Sequence, residues 1–295
     1  MTRTINEWLE TSFDRASDYA LVTGASSGIG LEYLKALAAL GCPCIATSEN
    51  ADELSLECAL LRKSGAPQIV EIVSDLSTAE GVENLVAGIE GFHVAILVNN
   101  AGVGMKGGFI DHDPGRYAAL VGLNSVAPTL ICRHVLPGMI DKRQGLVVHV
   151  ASINAITPIA YNAVYTASKA YLLYYAYAVA YELRDTPLVF QIVLPGTTDT
   201  PFHRRQGAAP QALFMAPDVV VKRSLQRIDR LLCVSNRFDR VLLPLVSALP
   251  LWTRTALGTY LLKRRLKFKD DSKDKATEDE SRDLFVTGHP REMKP

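Results

Sequence analysis

The chain has 295 residues, 48% of them hydrophobic, enough to bury one large core or two smaller ones. Its 31 basic and 31 acidic residues cancel to a formal net charge of zero, which argues against a nucleic-acid partner, since such surfaces carry a basic excess. Five scattered cysteines (Cys42, Cys44, Cys58, Cys132 and Cys233) lack metal-ligand or redox spacing and read as reduced, core-filling thiols, so no metal site is expected.

Residues 1–17 are polar and mixed in charge, without the apolar core of a secretory signal, and read as an N-terminal extension. No apolar run is read as reaching the roughly 20 residues of a spanning helix, so a soluble, cytoplasmic protein is expected. Residues 19–22 form a buried strand and 28–40 the helix behind it. A strand at 44–47 precedes a helix at 52–64, and a strand at 69–73 precedes a helix at 77–89. Further strands are read at 94–98, 146–151 and 189–194, with Pro, Gly, Asn and Asp at their ends. Apolar strands alternating with helices call for an α/β fold: a doubly wound parallel sheet with helices on both faces. Residues 241–262 are apolar but interrupted by Pro244 and Pro250, and they run into Lys263, Arg264 and Arg265. Residues 269–295 alternate in charge and lack core formers, so they read as a disordered tail.

After the first strand comes Thr23-Gly24-Ala25-Ser26-Ser27-Gly28-Ile29-Gly30, which opens a helix. Glycines there let the backbone turn tightly beside a pyrophosphate held by free N–H groups at the helix N-terminus. Four more motifs follow in order: Asn99-Asn100-Ala101-Gly102, Asn124, Ser152 with Tyr165-x-x-x-Lys169, and Pro195-Gly196. Over about residues 18–235 this set resembles the short-chain dehydrogenase/reductase family in its single-domain branch. The resemblance implies a Rossmann-like catalytic domain over 18–240, followed by an apolar and basic extension over 241–268.

It also implies a nicotinamide dinucleotide and the residues that hold it. The turn would contribute Thr23, Gly24, Ser26, Ser27, Gly28, Ile29 and Gly30. Asp75 and Leu76 would border the adenine, with Asn100, Ala101 and Gly102 lining the adenosine side. Pro195, Gly196, Thr198 and Thr200 would border the nicotinamide carboxamide. NADP-preferring relatives place a basic residue before the second glycine or just after the second strand; here Ser27 and Glu49 stand there. A carboxylate repels the 2′-phosphate and accepts from ribose hydroxyls, so NAD is the expected cofactor, with NADP as the alternative.

Tyr165 and Lys169 are four residues apart and share a helix face. A phenol near its ordinary pKa of about 10 is a poor base at neutral pH. The expectation is that the Lys169 ammonium and the nicotinamide ring lower it by about three units, roughly 4 kcal/mol. In the family's manner Ser152 and Tyr165 would hold the substrate oxygen, and Tyr165 would transfer the proton. Lys169 would hold the ribose, and Asn124 would position a water linking Lys169 to solvent. The expected activity is hydride transfer between the nicotinamide and an alcohol or ketone; the competing reading is a cofactor-binding regulator without catalysis. Tyr161, Tyr171, Tyr174, Tyr175, Tyr177 and Tyr181 crowd the same segment as core or interface residues, and relatives pair through this helix, so a homodimer or homotetramer is expected.

His149, inside a strand, reads as a packed core histidine, and His203 beside Arg204 and Arg205 is given no role. Phe202, Ala208, Ala209, Leu213, Phe214 and Met215 form the variable segment that would cover an apolar ligand. Residues 241–262 resemble the apolar C-terminal extension of reductases linked to acyl and lipid metabolism. They could cap the cleft mouth, form a subunit contact or, as the lesser alternative, lie in a membrane interface through Trp252 and Tyr260.

Overall fold

Runs such as Ala20-Leu21-Val22 and Leu146-Val147-Val148 are buried on both faces, as central parallel strands require. The computed structural model describes residues 3–204 and 214–266. It contains strands β1 (Asp18–Thr23), β2 (Cys44–Ser48), β3 (Ile69–Val73), β4 (His93–Asn99), β5 (Leu146–Val150), β6 (Val189–Leu194) and β7 (Leu232–Val234). They form one sheet in the order β3-β2-β1-β4-β5-β6-β7, with every pairing parallel. Strand order reverses between β1 and β4, and a crevice opens beyond the carboxyl ends at such a switch point. The expected doubly wound α/β fold is the one observed.

Alternate residues of each strand feed opposite layers. On one face lie α1 (Ile5–Ser12), α2 (Gly28–Ala39), α3 (Ala51–Lys63) and α9 (Pro217–Leu225), packed on Ala20, Val22, Ala95 and Val148. On the other lie α4 (Ala79–Gly88), α6 (Ala127–Asp141) and part of α7 (Ala163–Glu182), packed on Leu21, Leu97 and Val147. Strand and helix positions in the first half match the sequence reading to within two residues.

The stretch before β1, read only as a polar extension, holds α1. Thr4 and Glu7 form a capping box in which Glu7 Oε2 accepts from the Thr4 backbone N–H at 2.7 Å. Ile5, Trp8 and Leu9 are buried in the core shared with α2 and α9. The backbone N–H of Ile228 donates to the Arg3 carbonyl at 3.1 Å, tying the helix to the segment after α9.

Contrary to the sequence reading, one helix is long and apolar enough, by length and composition alone, to cross a membrane. It spans Pro114–Asp141 and joins α5 (Pro114–Val121), a π turn (Gly122–Val126) and α6. Its inner side chains Leu120, Ile131, Cys132 and Met139 are buried, and α6 packs on β4 and α4. Burial against a sheet explains its hydropathy without a bilayer.

The chain continues through the short α8 (Pro201–Arg204), then α9 and β7, to α10 (Arg237–Ser247) and α11 (Leu251–Leu266). Residues 269–295, together with Ala208, Ala209 and Leu213, lie outside the described residues.

Trp8→Ala should remove a fully buried indole and destabilise the protein by about 3–5 kcal/mol. Urea unfolding of the full chain checks this; an unchanged midpoint would detach α1 from the core.

Candidate active site

The first constraint is where β1 and β4 end side by side. Thr23, the last residue of β1, is buried, and its Oγ1 accepts from the backbone N–H groups of Asn100 and Ala101 at 2.9 and 3.0 Å. The Asn100 side-chain amide donates back to the Thr23 carbonyl at 3.0 Å. These bonds lock the loop after β4 onto the turn after β1. Gly24 and Gly28 have φ of +65° and +58°, a region that favours glycine. A Cβ at Gly30 would collide with the Gly24 carbonyl and the Asn100 amide. Thr23 and Gly30 therefore shape the turn and do not line the cavity, which differs from the contact role the resemblance implied for them.

Beside this turn runs a cavity of about 710 Å³. Gly24, Ser26, Ser27, Gly28 and Ile29 border it, and Ser27 at the start of α2 makes no side-chain cap, so the first-turn N–H groups face this space. Toward β2 the wall is polar, with Ser48, Glu49, Asn50 and Glu53. The Ser26 and Ser48 hydroxyls are 2.9 Å apart, and Ser26 donates to Glu53 Oε2 at 3.5 Å. Asp75 and Leu76 line the same end, while Asp75 Oδ1 also accepts from the Ser77 N–H at 2.9 Å as a local cap. Asn100, Ala101 and Gly102 form the middle of the wall, opposite Pro195, Gly196, Thr198 and Thr200. Thr200 packs so near the glycine turn that a Cβ on Gly28 would lie 3.2 Å from its methyl. An extended groove with free helix N–H groups at its centre, sealed by glycines that leave no room for side chains, fits a dinucleotide.

Ser152, Tyr165 and Lys169 meet at the inner wall. Ser152 follows β5 and starts a 3₁₀ turn (Ile153–Ala155), its Oγ accepting from the Asn154 N–H at 3.1 Å. Tyr165 and Lys169 lie one turn apart on α7, both buried. The Ser152 hydroxyl is the neighbour that acts to lower the Tyr165 phenol pKa. Lys169 Nζ donates to the Val150 carbonyl at 2.9 Å, and a Cβ on Gly102 would stand only 3.2 Å from that ammonium. Burial lowers the Lys169 pKa to about 8.

The expected depression of the phenol pKa is not a property of these protein groups by themselves. Burial pushes Tyr165 up to about 12, and the Ser152 hydrogen bond offsets only part of that. Desolvation of a phenolate outweighs one neutral hydrogen bond.

Asn124 sits in the π turn between α5 and α6, an irregularity often found at functional sites. Its Oδ1 accepts from the Val103 N–H at 2.9 Å, while its Nδ2 donates to the Val103 carbonyl at 2.9 Å and to Ser168 Oγ at 3.0 Å. It thus clamps the loop after β4 to α7 beside the buried ammonium. His149 is buried and stacks edge-on to Tyr175 at 5.8 Å, and burial lowers its pKa to about 3, which keeps it neutral.

Sequence reasoning left the far wall as one of three placements for the C-terminal extension. Beyond Tyr165 the cavity becomes apolar, with Ile153, Ile156, Ile159, Phe202 and Phe214 facing Phe238, Leu242, Val246, Leu257 and Leu261 from α10 and α11. The Tyr165 and Phe202 rings are 5.7 Å apart. Arg254 Nη1 donates to the Ile156 carbonyl at 3.0 Å and Thr259 Oγ1 accepts from the Ala160 N–H at 3.0 Å, fixing α11 on residues 153–161. Gly258 permits this approach, since a Cβ there would sit 2.8 Å from the Thr157 methyl. Of the places open to the C-terminal extension, its inner face takes the mouth of the cleft. The apolar spacing was visible in the sequence, but its docking partner was not.

Comparison with known proteins agrees with this geometry. The short chain dehydrogenase family model matches residues 18–211, and the chain belongs to that family. A very-long-chain 3-oxoacyl-CoA reductase of Phaeosphaeria nodorum is 29% identical over 226 residues, covering 75% of this chain and 66% of the relative. The Pyrenophora tritici-repentis counterpart is 30% identical with the same coverage, so the match spans slightly less than two thirds of either fungal protein. Among solved structures, a short-chain dehydrogenase from Sphingobium yanoikuyae in complex with NADPH is 26% identical, with a TM-score of 0.71, covering 79% of this chain and 96% of that one. A bulky-bulky ketone specific alcohol dehydrogenase from Comamonas testosteroni is 25% identical, with a TM-score of 0.66, covering 79% and 94%.

Proposed function

We propose that this protein is an oxidoreductase that moves a hydride between a nicotinamide dinucleotide and an apolar ketone or alcohol. The observation that carries the reading is the meeting of Ser152, Tyr165 and the buried Lys169 at one wall of a groove that fits the dinucleotide. When bound, the nicotinamide supplies or takes the hydride. The glycine turn, the first-turn N–H groups of α2 and the Asn100–Gly102 loop bind and orient the dinucleotide. Ser152 and Tyr165 donate hydrogen bonds to the ketone oxygen. Tyr165, kept neutral by burial, gives its proton to the developing alkoxide. Lys169, charged at neutral pH, stabilises the phenolate that remains, while Asn124 is a positioning residue that holds Lys169's surroundings.

The apolar chamber past Tyr165 suits a ketone carrying aliphatic or ring substituents. That agrees with the 3-oxoacyl-CoA and bulky ketone substrates named for the relatives. NAD is the proposed cofactor because the β2 end of the groove carries the carboxylates of Glu49 and Glu53, with no lysine or arginine among its described lining residues. Five free buried thiols fit the cytoplasm. A homo-oligomer is proposed through the outer side of α7, where Tyr171, Tyr174 and Tyr181 are exposed.

Tyr165→Phe should cut turnover by about 10²–10⁴-fold through loss of the proton donor while dinucleotide affinity stays the same. Coupled absorbance and titration assays measure both, and undiminished turnover would remove this mechanism. Because burial lowers the Lys169 pKa, its charge is lost as pH rises through about 8. Ketone reduction should therefore be flat at lower pH and decline through that value; a rate still climbing there would contradict the role given to Lys169. KM for NADPH should exceed that for NADH by about tenfold or more, and Glu49→Ala should narrow the gap.

A further inference from the structure

Helices α10 and α11 line the cavity with one side, and among the described residues large apolar side chains on the other side are exposed. Along α10, Val241 and Leu245 lie on the outer side, with Phe238 and Leu242 shared between that side and the cavity, and Leu249 follows in the turn after the helix. Phe238, Val241 and Leu245 are 70%, 71% and 64% exposed. Leu251, Trp252 and Tyr260 of α11 add to this apolar surface, with Trp252 84% exposed. The inner side of α11 is meanwhile held firmly by Arg254, Gly258 and Thr259 on residues 153–161. This is a fixed pair of helices with an apolar outside, and large exposed apolar patches mark interaction surfaces.

Charge identifies the occupant. Between residues 237 and 266 there are six arginines and lysines (Arg237, Arg240, Arg254, Lys263, Arg264 and Arg265) against one acid, Asp239, a net charge of +5 in a chain whose total is zero. Lys263 packs over the Tyr161 ring at 4.7 Å, close to the edge of the cavity. Arg240 and Arg264 are exposed, so two copies joined through this face would bring like charges together. Exposed Trp and Tyr side chains among leucines, flanked by cations, have the composition of a helix lying in a lipid headgroup region.

We infer that the outer face of α10 and α11 docks on an anionic lipid bilayer. Leu242, Leu257 and Leu261 line the cavity and are also partly exposed, so docking sets the apolar chamber against the hydrocarbon boundary. An apolar ketone then passes from lipid to Tyr165 without crossing water. That last step rests on the proposed reaction, but docking does not.

The two tryptophans provide a built-in probe, since Trp8 is 1% exposed and Trp252 is 84% exposed. The full chain is mixed with vesicles of phosphatidylcholine containing about one third phosphatidylserine, and with phosphatidylcholine alone. The expected result is flotation with the anionic vesicles and a blue shift in emission, with affinity at least about tenfold weaker on neutral vesicles or in high salt. Trp252→Phe should abolish the shift. The pair Val241→Glu and Leu245→Glu, neither of which lines the cavity, should stay in the aqueous phase and still bind dinucleotide. No flotation of the wild-type chain, or equal flotation of the double variant, overturns the inference. So does a concentration-dependent dimer, lost in the same variant, that forms without vesicle binding, because the face would then belong to a second copy. Flotation needs no turnover, so its failure leaves hydride transfer standing, and a silent ketone assay leaves docking standing.

Discussion

Removing an ammonium from water is costly, and the interior must answer that cost with acceptors and geometry. In this protein the answer comes from the upper edge of the sheet. Lys169 Nζ rests on the Val150 carbonyl at the end of β5, next to Gly102, where no side chain keeps the loop after β4 away. Asn124 then ties that loop to α7 through Val103 and Ser168. The ammonium is thus held by β5, the β4 loop and α7 together, and the phenol one helical turn earlier is held with it. The parallel topology matters because it delivers the carboxyl ends of β1, β4 and β5 to one rim.

The cavity along that rim changes character from end to end. Near β2 it offers hydroxyls and carboxylates, at its middle backbone N–H groups and tightly packed glycines, and past Tyr165 almost only aliphatic and aromatic side chains. Each region suits a different chemical partner: ribose, pyrophosphate and an apolar substituent. The reacting groups stand where the polar part gives way to the apolar part, in a place shielded from water, where electrostatic effects are strongest.

Much of this was legible in the residues. Strands such as Ile69–Val73 and Val189–Leu194 announce themselves because a doubly covered strand must be a short apolar run bounded by turn formers. The glycine turn and the Tyr165–Lys169 spacing are equally plain, since backbone clearance and helical periodicity leave few other residue choices. Three features were hidden for physical reasons. Helix α1 spends only Ile5, Trp8 and Leu9 on the core, too few to show a period within a polar stretch. Strand β7 is three residues long. The placement of α11 depends on Gly258 meeting Thr157 about a hundred residues earlier in the chain, a contact no local pattern encodes. The upward push that burial gives the Tyr165 phenol in the protein alone was hidden for a related reason: the sequence names the nearby cation but not the depth of burial.

The chamber's outer wall hangs on helices that contribute none of the hydroxyl, phenol or ammonium groups. Changes in side-chain volume along α10 and α11 can therefore resize the space offered to a substrate while the proton-transfer geometry stays intact. A lineage carrying this architecture can drift in substrate range under selection by altering a peripheral pair of helices. The half of the molecule that carries the reacting groups need not be re-optimised each time.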